Sequence, residues 1–352
     1  MKLSRRTAIA ALGGALLLST TACSGTQEPG AASSPTEATT AETSAFPVRI
    51  THVYGETVVE SQPQRVATIS WVNSDILLAL GVVPVGMDRD TYGNTEDGST
   101  AWKNSKLEEL GAPIGSENAP VLFDATNGIN FDAIAEATPD LIAAAYSGLT
   151  QEEYDKLSKI APVVGPGVES YQTPWQQSTQ MIGDALGKSD EASQLITATE
   201  DLVAASGVTA HPEFAEFTAI AGNLDVAVGG INIYGPGDNR SRFLDMLGIP
   251  LAPFVPENAP KDQFFFNWST ERANEIESDI FFTWLPAGTT EKDVAADALL
   301  GQIPAVKKGG LVVIADEADV LAISALSPLS VPYALDRIVP LFVDATARVA
   351  QG

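Results

Sequence analysis

The chain has 352 residues, with 45 acidic against 20 basic side chains and a formal net charge of −25. That length predicts two domains, and the charge excludes an ordinary nucleic-acid-binding surface, because a phosphate backbone repels so acidic a protein. The one cysteine, Cys23, excludes an intrachain disulfide, and two histidines, His52 and His211, leave little material for a transition-metal site.

Lys2, Arg5 and Arg6 precede an apolar stretch, Thr7 to Leu18, that is too short to span a bilayer. This is the pattern of a signal peptide over residues 1–22. Without it, 17 basic residues face 45 acidic ones, a net −28 that fits an extracytoplasmic protein. Ser19-Thr20-Thr21-Ala22-Cys23 is similar to the lipobox of bacterial lipoproteins, although Thr20 stands where leucine is usual. The similarity implies that Cys23 is the lipidated first residue of the mature chain; cleavage elsewhere would discard it. Ser4-Arg5-Arg6-Thr7 partly resembles a twin-arginine signal. Residues 24–45 are rich in Ser, Thr, Ala, Glu and Gly and contain no aromatic, so they cannot bury enough apolar surface to fold. With Cys23 they form an anchored tether, residues 23–45, with an average reach of ~25 Å.

A first α/β lobe is expected over residues 46–172. Val48–Val53 and Thr57–Val59 read as a hairpin, and Val66–Ile69, Val82–Gly86, Leu141–Ala145 and Pro162–Val164 as further strands. Helices are expected from a cap at Ser74 or Asp75 to Leu80, over Asn130–Ala137 and over Thr150–Ile160. Strands alternating with helices predict a parallel sheet covered on both faces.

Residues 173–207 read as a connector of two helical segments. Thr173 is the expected cap of the first, and Gly187 its C-cap or a kink. Ser189 is the expected cap of the second, whose apolar face is Ala192, Leu195, Ile196, Leu202 and Val203. A helix from Asp190 to Ala205 would span ~24 Å, enough to join two lobes.

The second lobe, residues 208–352, carries expected strands at Phe217–Ala221, Asn232–Tyr234, Asp279–Trp284 and Leu311–Ile314. Helices are expected at Asn239–Leu247, at Thr270–Ile276, through Leu299-Leu300, and from about Pro332. Phe264-Phe265-Phe266 reads as a buried strand. The two lobes echo each other: Asp132 lies eight residues before Asp140, and Glu271 eight before Asp279. A carboxylate opening a helix is explained by the helix dipole alone, but matched positions in both lobes suggest a paired surface role.

Phe131-Asp132-Ala133-Ile134 with Pro139-Asp140-Leu141-Ile142, Leu157–Pro162, Gly237-Asp238-Asn239-Arg240 and Ser327–Leu335 together resemble the iron–siderophore substrate-binding lipoproteins of bacterial ABC importers. The resemblance covers roughly Val48 to the end of the chain. It implies two Rossmann-like α/β lobes joined by one long interdomain helix, a ligand cleft between them, and a monomer that serves a transmembrane permease. It also implies one permease-docking carboxylate per lobe, at positions that match Asp132 and Glu271; aspartate at 132 is shorter than the commoner glutamate.

Cleft ligands meet loops at the carboxyl ends of strands. That rule selects Trp71, Arg89, Tyr92, Trp102 and Tyr146 in the first lobe and Tyr234, Arg240, Trp268 and Trp284 in the second. Any one tryptophan is as readily explained by core packing, and Arg240 has Asp238 and Asp245 within its own helix as alternative partners. Neither histidine lies on a cleft loop, so no resident metal or cofactor is expected and any iron arrives chelated. Few basic residues are available for a highly anionic catecholate, which favours a hydroxamate or mixed siderophore. Cobalamin or haem are the other ligands for this architecture. A secreted carboxylate-based hydrolase is the reading of a different class, although no nucleophile elbow, phosphate loop or placed histidine base supports an enzyme.

Overall fold

The computed structural model describes residues 46–168, 171–225, 230–261, 263–286 and 288–352. The signal peptide, Cys23 and the tether lie outside the described residues. The first lobe opens with an antiparallel hairpin, β1 (Val48–His52) and β2 (Gly55–Val59). It continues through β3 (Val66–Thr68), α1 (Trp71–Ala79), β4 (Gly86–Asp88), α2 (Ala101–Glu109), β5 (Val121–Phe123), α3 (Phe131–Glu136), β6 (Leu141–Ala143), α4 (Gln151–Leu157) and β7 (Val163–Val164). Its sheet has the order β5-β4-β3-β6-β7 and is parallel throughout, as the alternation predicts.

The connector is α5 (Trp175–Ala185) followed by α6 (Ser189–Ser206). α6, with 18 residues, is ~27 Å long at 1.5 Å per residue. The two helices are antiparallel neighbours: Gln176 donates to Glu200 at 3.0 Å, and Gln180 to Ser189 at 2.9 Å. Gly187, at φ 71°, reverses the chain between them. Gly183 lets them touch, since a Cβ there would lie 2.3 Å from Cβ of Ala192. α5 packs on α1 and β1, whereas α6 packs on helices of the second lobe. Neither expected cap operates. Thr173 exchanges hydrogen bonds with the backbone of Val168, leaving Pro174 at the N-cap, and Ser189 is already helical behind Lys188. Leu202, expected on the buried face of α6, is exposed.

The second lobe contains β8 (Ala219–Asp225), β9 (Gly230–Tyr234), α7 (Asn239–Leu247), α8 (Phe254–Asn258), β10 (Phe265–Ser269), β11 (Ile280–Trp284), α9 (Glu291–Ala296), α10 (Pro304–Lys307), β12 (Leu311–Ile314), α11 (Glu317–Ser324) and α12 (Ser330–Gln351). Its order is β10-β9-β8-β11-β12. β8, β11 and β12 are parallel and β9 runs against both its neighbours, so this sheet is mixed. β10 is an edge strand in which only Phe266 of the phenylalanine run is buried. The helix expected at Thr270–Ile276 is a kinked 3-10 segment, Thr270–Glu275.

The duplication has a physical basis. Asp140, just before β6, accepts from the backbone N–H groups of Gln64 and Arg65 at 2.8 Å each, just before β3. Asp279, just before β11, accepts from the N–H and hydroxyl of Thr218 at 3.0 and 2.9 Å, just before β8. In each lobe the second acid therefore ties together the starts of two adjacent parallel strands.

Candidate functional site

In the first lobe the carboxyl ends of β3, β4 and β5 and the segment before α5 surround a cavity of about 230 Å³. Trp71, Asp88, Arg89 and Tyr171 are among the residues that line it. The Trp71 and Tyr171 rings stack at 6.3 Å and 22°, and both are open to solvent, at 45 % and 38 % exposure. Ser70 and Tyr171 have φ of 64° and 59°, two of the three positive values outside glycine among the described residues. Such backbone costs ~1–3 kcal/mol per residue and collects at functional sites. Ser70 is the N-cap of α1, so that helix starts before the Ser74 or Asp75 cap that the sequence suggests. Gly148 makes room for Tyr171, because a Cβ there would lie 2.3 Å from its ring.

A second cavity, of about 310 Å³, lies between the lobes. Tyr92 of the first lobe lines it with Trp284, Ile314 and Glu317 of the second. Thr91 lines the first cavity and its neighbour Tyr92 the second. The second alone reaches the ~300–1,000 Å³ range of small-molecule sites. Beside them Tyr234 and Trp284 stack at 5.8 Å, and the Arg240 guanidinium lies 3.6 Å from the Tyr234 ring centre and 5.5 Å from that of Trp284. Asp238 holds that guanidinium by a two-pronged bridge, with both N–H···O distances 2.7 Å. Burial opposes the Arg240 charge, but Asp238 wins and raises its pKa. Arg240 is thus a neutralised cation fixed over an aromatic face.

The lobes also meet through buried polar contacts. Tyr146, three residues past the end of β6, accepts at its hydroxyl from Asn239 of α7 at 3.1 Å, and burial raises its phenol pKa. Asp75 of α1 accepts from the Ser327 hydroxyl at 2.7 Å and from the Trp102 indole at 2.8 Å. Lys103 donates to Asp90 at 2.8 and 3.1 Å and lies 3.7 Å from Asp75. Burial pushes the Asp75 carboxyl up to about 6, with Lys103 and Ser327 pulling the other way. Gly93, at φ 60°, lets the Tyr92 loop approach α11; a Cβ would lie 2.6 Å from the Glu317 carbonyl oxygen.

Of the sequence-selected residues, Trp71, Arg89, Tyr92 and Trp284 line the two cavities, while Tyr234 and Arg240 stand behind Trp284 and Tyr146 against Tyr171. Two selections need correction. Trp102 is not on a loop: it sits buried in α2, bonded to Asp75 and packed on Tyr333 at 5.0 Å. Trp268 lines neither cavity. The period-2 alternation of β10 puts it with Phe266 on the core opposite Tyr234, against Phe254, with its indole bonded to the Arg272 carbonyl. Asp132 and Glu271 are both exposed, and neither carboxylate has a hydrogen-bond or ion-pair partner among the described residues. Tyr171 and Asp88 escape the sequence reading. Tyr171 belongs to no motif. Asp88 was hidden because the expected strand Val82–Gly86 ends two residues before the observed end of β4.

The family profile described as periplasmic binding protein matches residues 66–318. The chain belongs to the periplasmic binding protein family. Members are substrate-binding proteins, and the paired α/β lobes with a cleft between them are their architecture. This periplasmic binding protein is 34 % identical to PiaA of Streptococcus pneumoniae, solved in complex with ferrichrome, with a TM-score of 0.79 over 86 % of this chain and 99 % of that one. It is 25 % identical to the probable siderophore-binding lipoprotein YfiY of Bacillus subtilis, over 71 % of this chain and 74 % of YfiY. It is 27 % identical to the ferric enterobactin-binding periplasmic protein FepB of Escherichia coli, over 59 % of this chain and 63 % of FepB. Among the described residues no helix is long and apolar enough to cross a membrane.

Proposed function

We propose that this chain is an extracytoplasmic substrate-binding protein that captures a ferric siderophore of hydroxamate or mixed type. It delivers the complex to the permease of an ABC importer, without catalysing a reaction on it. The observation that carries this reading is the aromatic lining of the two cavities: Trp284, backed by Tyr234 and a neutralised Arg240, in one, and the Trp71–Tyr171 stack in the other. Rigid aromatic area suits the apolar shell of an iron chelate, and a guanidinium with an N–H group to spare suits its oxygens. Because Asp238 cancels the Arg240 charge, the cleft offers little to a highly anionic catecholate. The siderophore-binding names of the relatives support the same class.

The monomer is tethered through lipidated Cys23, and Asp132 and Glu271 dock the two lobes on the permease. Their exposure and lack of partners support that role. Tryptophan fluorescence and calorimetric titration with ferric hydroxamate, citrate and catecholate complexes tests the binding reading; no response to any of them overturns it. An absorbance scan and mass spectrometry of protein from native membranes would reveal haem or cobalamin instead.

A further inference from the structure

Asp88 is the one acidic residue lining the first-lobe cavity among the described residues. One of its carboxylate oxygens accepts the Ser70 backbone N–H at 2.8 Å, and the other accepts no hydrogen bond among the described residues. The buried Lys103 ammonium, which attracts Asp88, donates to Asp90 and faces Asp75, so it serves three carboxylates. Arg89 lines the same cavity, but its guanidinium turns back to the Asp97 carbonyl at 3.1 Å and rests on Gly98, where a Cβ would lie 2.2 Å from it. Burial pushes the Asp88 carboxyl up to about 6, against the pull of the Ser70 N–H and Lys103. Across the cleft the second cavity adds Glu317, while Arg240 is cancelled by Asp238.

From this arrangement we infer that the Asp88 cavity receives a positively charged group of the ligand, a protonated primary amine carried by a hydroxamate siderophore. The inference rests on the siderophore reading above and narrows it. Two features converge on an ammonium: a carboxylate oxygen with no hydrogen bond among the described residues, and the open Trp71 and Tyr171 rings. A carboxylate beside aromatic faces recognises a cation by ion pairing and by the ring quadrupoles together. A neutral hydroxamate chelate offers Asp88 at most an uncharged N–H donor, and an anionic chelate is repelled by it.

The test uses the lipid-free mature chain and two ferric complexes of one linear trihydroxamate, ferrioxamine B with its free amine and the same ligand acetylated at that amine. They differ in one charge and little in shape. At neutral pH the wild type should bind the amine form at least ~10-fold more tightly, the ratio that one charge-assisted contact supplies. Asp88→Asn keeps an acceptor for Ser70 and should reduce the preference to under ~3-fold. Trp71→Leu should reduce the preference independently, so the proposal stays testable if Asp88→Asn folds poorly. Equal wild-type binding of both complexes overturns the ammonium site and leaves the siderophore reading standing. An undiminished preference in both variants also overturns it. Binding of neither complex, nor of any other ferric siderophore, overturns both.

Discussion

Replacing Arg240 separates a ligand-binding arginine from a structural one. The side chain makes two 2.7 Å bonds to Asp238, covers Tyr234 at 3.6 Å, and has Nη1 only weakly engaged, 3.4 Å from the Ser324 hydroxyl. Nη1 and Nη2 each keep a second N–H that has no partner among the described residues and can meet a ligand oxygen. A hydrogen bond to a charged group contributes ~1.5–3 kcal/mol, so Arg240→Ala should weaken binding of a ferric hydroxamate by ~10–150-fold. Part of the loss has another source. The truncation leaves Asp238, 4 % exposed, as an uncompensated negative charge beside the cleft. Adding Asp238→Asn removes that charge while keeping a competent N-cap for α7, so the double variant should recover some stability but not the affinity. Asp238→Asn alone should leave Arg240 unneutralised and improve binding of an anionic catecholate complex. Tryptophan fluorescence titration reads the affinity, since Trp284 lies beside Arg240, and thermal melting reads the fold. Arg240→Ala binding within ~3-fold of wild type would refute the reasoning and reduce Arg240 to a partner of Asp238.

Three other predictions follow from particular contacts. Lys103→Met removes the cation shared by Asp90 and Asp75; urea denaturation should show a loss of ~3–5 kcal/mol, as for breaking a buried pair from one side, and an unchanged midpoint would mean that water reaches those carboxylates. Asp75 holds its proton more tightly folded, at about 6, than at the ordinary value of 3.8, so its contribution to stability falls as pH rises through that interval. The melting temperature of Asp75→Asn relative to wild type should therefore climb between those values and level off above them; a flat difference refutes the shift. Asp132→Ala with Glu271→Ala should leave ligand affinity and melting nearly unchanged, because a first-turn carboxylate contributes only ~0.3–1 kcal/mol through the helix dipole, yet cellular iron uptake should drop sharply, and normal uptake would leave both residues as helix-start acids.

Local chemistry made much of this protein legible in its sequence. The alternation of apolar runs with helical periods is enough for an α/β lobe on each side of a helical connector, because burial of one face forces those periods. Asn239–Leu247 and Leu311–Ile314 have the bounds the sequence suggests, the first because Asp238 caps it and Gly248, at φ 84°, stops it. Tertiary structure decided what local pattern does not encode. The reversal of β9 depends on pairing with β8, so the mixed second sheet is invisible to periodicity. Trp102 and Trp268 are as aromatic as Trp71 and Trp284; only packing sends the first pair into cores and the second to the cleft. Tyr171 reaches the site because Gly148, 23 residues away, leaves room for its ring. Asp75 and Ser327, separated by 252 residues, share a hydrogen bond because folding brings both to one dry seam, where an unpaired polar group is costly.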